Sequence, residues 1–176
     1  MMKNLKSDNL SKYFGFFLIL ILVFSRLIPH PPNFTPIIAT AILGSYFFGN
    51  LIKSTFIILI SMFISDFFIG FHSNMFFVYF AMLLIIIVYF SVNIKLNYKN
   101  LLIYGFIASF IFYLTSNFGV WLIGNMYEKS FSGLIQCYIL AIPFFKNTLI
   151  STFIYLYPVF FFYNSLNRYF FSKLNY

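Results

Sequence analysis

The stretch Arg26-Leu27-Ile28-Pro29-His30-Pro31-Pro32-Asn33-Phe34-Thr35-Pro36 sets a guanidinium, an imidazole and a carboxamide on one proline-stiffened segment between two apolar runs. Proline fixes φ and pushes the residue before it out of the helical region, so this loop holds His30 and Asn33 in place. Pro36 also suits the first position of a following helix, where its missing N–H is not needed. Arg26 closes an apolar run, where a guanidinium is costly unless it reaches the interface or meets an anion. Ser65-Asp66-Phe67-Phe68-Ile69-Gly70-Phe71-His72 adds a carboxylate and a second imidazole near the end of another run. An acid inside an apolar helix is a functional candidate, paired or facing water, and Arg26 and Lys146 are its candidate partners. His72, just past Gly70, equally fits plain capping of helix carbonyls.

Asn117, Trp121 and Asn125 recur every four residues, and Glu128 follows three later. If one helix runs on through Gly124, an indole, two amides and a carboxylate share a face suited to a polar, ring-bearing ligand. Trp121 by itself fits an interface anchor at least as well. Lys146 precedes a stripe of Asn147, Ser151 and Tyr155 between Pro143 and Pro158, and Pro158 should kink its helix. The expected ligand contacts are therefore Arg26, His30, Asn33, Asp66, His72, Asn117, Trp121, Asn125, Glu128, Lys146 and Asn147. Arg26 and Lys146 would attract an anionic group, Asp66 and His72 would hydrogen-bond polar groups, and Trp121 would stack on a ring.

Other chemistries find little support. His30, His72, Asp66 and Glu128 are potential metal ligands, but no compact spacing joins them. There is no nucleophile motif, no glycine-rich phosphate loop and no paired-carboxylate spacing, so neither a cofactor nor enzyme activity is expected. An acid–base role for Asp66 with His72 lacks those companions. Cys137 is the single cysteine, which excludes an intramolecular disulfide and a cysteine metal cluster.

These groups need elements to carry them, and the composition says which kind. Of 176 residues, 62% are hydrophobic and 8% charged, far below the roughly one-quarter charged residues of soluble domains. The chain thus reads as a single all-α integral membrane domain over 1–176. Six spans are expected at about 13–28, 36–51, 54–71, 75–92, 101–121 and 148–164. Residues 1–12 form a polar leader, and 131–145, shorter and ending at Pro143, reads as an interfacial or re-entrant helix before the last span. With six spans and both termini in the cytoplasm, the inner side carries Lys3, Lys6, Lys12, Lys53, Lys95, Lys99, Arg168 and Lys173. The outer side then carries Arg26, Lys129 and Lys146, as the positive-inside rule prefers. The net charge of +8 belongs to this pattern, since the basic residues are spread over short loops with no patch for nucleic acid. Ala41, Ser45 and Gly49 form a small-residue stripe that marks a helix-packing seam with this chain or another protein.

The chain resembles a small bacterial family of uncharacterised membrane proteins associated with transport. The likeness lies in the Arg26 to Pro36 segment, Ser65-Asp66, Gly70-Phe71-His72, Asn117-Phe118-Gly119-Val120-Trp121 and Ala141-Ile142-Pro143-Phe144-Phe145-Lys146-Asn147-Thr148. That family is in turn similar in layout to the substrate-binding S components of energy-coupling-factor transporters. The resemblance implies six helices, cytoplasmic termini in a bacterial inner membrane, and a small-molecule pocket beneath outer loops. It also implies a separate membrane coupling protein with ATPase subunits. S components dock through small residues on the first span, whereas the stripe here is on the second. A ligand-free scaffold of the cell envelope, related in fold to rod-shape proteins, is the alternative.

Overall fold

Apolar runs punctuated by Gly, Asn, Ser and Pro become helices with definable ends. The computed structural model describes residues 2–92 and 95–172, with side chains over 9–92 and 95–169. It contains α1 (Met2–Leu27), α2 (Ile37–Phe48), α3 (Leu51–Ile69), α4 (Met75–Val92), α5 (Tyr98–Ile123), α6 (Phe131–Leu140) and α7 (Ile142–Ser172), with no strand among the described residues. Asn50, Asn97 and Ser130 cap α3, α5 and α6, accepting the N–H of Lys53, Asn100 and Gly133 at 3.0, 2.8 and 3.1 Å. Each satisfies a donor the helix cannot pair internally. Gly49 (φ 60°) and Gly70 (φ 105°) end α2 and α3 in backbone conformations that side chains resist.

Among the described residues, five helices are long and apolar enough to cross a membrane: Asn9–Leu27 of α1, α3, α4, α5, and Ile142–Tyr169 of α7. Their outward faces expose Phe16, Phe56, Phe67, Phe76 and Phe106, surface that suits lipid and not water.

The expected second span is different in kind. α2 has 12 residues, about 18 Å of helix against a hydrocarbon core of about 30 Å, so its length does not qualify it as a span. Ten of those residues are buried, and α2 touches α1, α3, α4, α5 and α7. It is the central pillar of the bundle, apolar because protein surrounds it. Ala41 and Ser45 of the small-residue stripe are fully buried, so their partners are helices of this same chain.

Contacts at the two ends show that α1, α3 and α5 run one way and α2, α4 and α7 the other. At one end Arg26 meets Asp66. At the other, Ser11 Oγ lies 3.0 Å from Tyr163 Oη, and Phe14, Phe47 and Tyr163 pack their rings together. The Arg26 end carries Lys129 and Lys146; the Tyr163 end carries Lys12, Lys53, Lys95, Lys99 and Arg168. The side chains of Lys3 and Lys6, together with Asn93 and Lys173, lie outside the described residues.

The short helix before the last long one is present as α6, ten residues long. It ends earlier than expected, at Leu140, and Pro143 does not terminate it. After one corner residue, Ala141, α7 begins, and Pro143 sits in its first turn, where no intrahelical N–H is required. α7 thus starts at Ile142 and not 148, and it continues as helix through Pro158.

Candidate functional site

A cavity of about 500 Å³ lies over the amino end of α2, which contributes only Ile37 to its lining. Residues from every helix and from three connecting loops complete the wall. Arg26, His30, Asn33, His72, Asn74 and Asn117 bring the chemistry, with Ser116, Tyr127, Cys137 and Thr148 beside them. Among the described residues no acceptor meets the N–H groups of Ile37, Ile38 or Ala39, and Pro36 provides no side-chain cap. The unpaired donors and the helix dipole make that end of α2 electropositive.

Arg26 forms the cavity's charged corner. Its Nη1 donates to Ser65 Oγ at 2.7 Å and more weakly to the Met62 carbonyl at 3.4 Å, while Nη2 pairs with Asp66 Oδ1. Tyr79 Oη donates to Asp66 Oδ2 at 2.7 Å, so both carboxylate oxygens are occupied. The Asp66 side chain is 1% exposed and that of Arg26 12%. This network ties α1, α3 and α4 together in an interior where an unpaired charge would be untenable. Asp66, expected among the ligand contacts, stands behind Arg26 and outside the cavity lining.

The loop from Arg26 to Pro36, which lines the cavity as its lid, keeps its shape by local bonds. Phe34 N–H donates to the Pro31 carbonyl at 3.0 Å, and Asn33 adopts φ 60°, a left-handed conformation asparagine tolerates. Asn147 Nδ2 reaches from α7 to the Pro32 carbonyl at 3.0 Å. Asn147 therefore latches the lid and is not part of the lining.

The opposite wall depends on a close approach between α4 and α5. Asn74 Nδ2 donates to the Ser116 carbonyl at 3.0 Å, which also fixes which way its amide points. Oδ1 then lies against Gly119, where a Cβ would overlap both that oxygen and the Phe77 ring. α6 is strapped to α5 by Tyr113 Oη to the Tyr138 carbonyl at 2.6 Å and by Tyr138 Oη to the Leu114 carbonyl at 2.8 Å.

Of the eleven expected contacts, the structure gathers Arg26, His30, Asn33, His72 and Asn117 around one cavity. Trp121, Asn125, Glu128 and Lys146 lie outside its lining. α5 stops at Ile123 with Gly124 as its cap, so Asn125 and Glu128 never join the helical face of Asn117. Trp121 instead buckles the following loop: Nε1 donates to the Glu128 carbonyl at 2.9 Å, and Lys129 Nζ sits 5.8 Å from its ring centre while bonding the Trp121 and Gly124 carbonyls. Asn74, Ser116, Tyr127 and Thr148 were not anticipated as site residues. Asn74 follows His72 closely and carried a signal; small hydroxyl residues on apolar helices carry none.

Cys137 lines the cavity with 1% exposure and donates to the Asn117 carbonyl at 3.4 Å. Burial pushes its thiol up from the usual range, while a backbone hydrogen bond with Trp121 and the nearby Lys129 charge pull it down. Because the thiolate is the reactive form, maleimide labelling of the folded protein at pH 7 should run at least ~10-fold slower than in the unfolded chain and accelerate as pH rises. Equal rates in the two states would contradict the buried placement.

Residues 6–174 match a family described as a family of unknown function, DUF6580. No curated protein and no solved structure matches the chain.

Proposed function

Because the chain belongs to DUF6580, a family of unknown function, we propose its role from the cavity itself: capture of a small polar metabolite at the non-cytoplasmic end of a membrane bundle. The supporting observation is the cavity of about 500 Å³ at one end of the molecule, whose largely apolar wall carries a few basic, amide and hydroxyl groups. A volume in this range with a few converging polar groups is that of a small-molecule site. Among the described side chains, the opposite end carries more Lys and Arg, which the positive-inside rule assigns to the cytoplasm of a bacterial inner membrane.

In this reading the protein is a transport component similar in plan to an S component, with any energising partner supplied separately. Such a partner would have to use a face other than the stripe on α2, whose Ala41 and Ser45 are enclosed. That enclosure also weighs against a ligand-free envelope scaffold that would dock a partner through this stripe, because Ala41 and Ser45 are not free to meet one.

Purified protein in detergent, screened by thermal shift against vitamins, nucleobases and amino acids, tests the proposal. A ligand present at a hundredfold excess over its Kd should raise Tm by about 5 to 10 °C. Filling the cavity with Asn117→Trp should abolish that gain. Indifference to every class, or an equal shift in the filled variant, would overturn the reading.

A further inference from the structure

We infer that the cavity takes an organic anion, and that Asp66 opposes its binding by competing for Arg26; this rests on the ligand-binding reading above. The chain has three acids, and among the described side chains none is in the lining: Asp66 is behind Arg26 and Glu128 is exposed outside the cavity, while the side chain of Asp8 lies outside the described residues. The lining instead offers Arg26, His30 and His72. Arg26 still has unused donors, since Nε–H and the second Nη2–H meet no acceptor among the described residues. A guanidinium that lines a cavity and keeps unpaired N–H donors is matched by a carboxylate or phosphate.

Asp66 is already on that guanidinium. An entering anion becomes the second negative group around one positive charge, in a site that water screens poorly. Asp66 therefore sets an electrostatic ceiling on affinity without touching the ligand. The groups facing its carboxylate are Arg26 from α1 and Tyr79 from α4, while α2 brings no ionisable side chain to that end. His30, His72, Tyr127 and Cys137 are the other titratable groups lining the cavity.

The test uses matched pairs of small ring-bearing carboxylic acids and their primary amides, measured on the full-length protein by thermal shift and then by titration. Acids should bind at least ~10-fold more tightly than their amides. Asp66→Asn, which keeps the shape and an acceptor for Arg26, should tighten acids by at least ~10-fold and leave amides unchanged. Tyr79→Phe leaves Asp66 leaning on Arg26 alone and should weaken the same acids, a change of opposite sign that covers the case in which Asp66→Asn cannot be purified. Arg26→Gln should abolish the preference for acids.

If amides bind as well as acids and Asn117→Trp eliminates both, the anion inference falls while the cavity remains a binding site. Loss of acid binding in Asp66→Asn, or tighter binding in Tyr79→Phe, would make Asp66 a direct ligand contact and overturn the competition. If no acid and no amide binds, the inference falls as well.

Discussion

Asp66→Ala should cost about 3–5 kcal/mol of stability, the usual penalty for breaking a buried ion pair by removing one partner. The size follows from what would be left. Arg26 would keep its charge with only Ser65 and the Met62 carbonyl as acceptors, and Tyr79 would lose the oxygen its hydroxyl meets at 2.7 Å. Three helices share this network, so its loss loosens α1, α3 and α4 together. Removing both charges should be far milder, because well-packed apolar residues of similar volume avoid the desolvation of the ions altogether. The double variant Arg26→Met/Asp66→Leu is therefore expected to recover most of the lost stability. Thermal unfolding in detergent with intrinsic fluorescence measures both. A single-variant cost below about 1 kcal/mol would mean that the pair is solvated and not a structural tie.

Gly119→Ala should destabilise the protein by about 1–3 kcal/mol, or more if α4 and α5 separate, although the change adds one methyl group. That methyl would occupy the place of Asn74 Oδ1 and the Phe77 ring edge. Neither can yield easily: Asn74 is held by the Ser116 carbonyl at 3.0 Å, and Phe77 packs edge-on against Phe118. Displacing Asn74 also dismantles one wall of the cavity, so ligand-induced stabilisation should shrink along with Tm. Gly49→Ala provides a control with a different cause. Nothing crowds its Cβ, and only its left-handed backbone is strained, so it should lower Tm without altering the cavity response. If Gly119→Ala matched the wild type in both readouts, the close approach of α4 and α5 at this level would be wrong.

Much of the helical layout was legible from apolar run length. α4 falls at 75–92, as the sequence predicts, and α3 and α5 lie within a few residues of expectation. The central role of α2 was not legible, since a buried helix and a lipid-facing helix are both apolar and only neighbours distinguish them. The face built from Asn117, Trp121, Asn125 and Glu128 failed at a single point. Its helical spacing assumed continuation through Gly124, and the helix ends there, with Trp121 and Lys129 holding the loop that follows.

The sequence by itself determined where the helices run and that ionisable groups gather at their ends, because charge cannot be left deep in an apolar segment. Only the tertiary structure decided which of those groups face a cavity and which satisfy one another. Arg26 does both, Asp66 is spent on Arg26 and Tyr79, and Asn147 serves the lid. The reason is geometric: helical periodicity says which residues share a face, but the neighbour that face meets is set by packing between segments far apart in the chain. Here that packing turns on a short buried pillar and a glycine that lets two helices close.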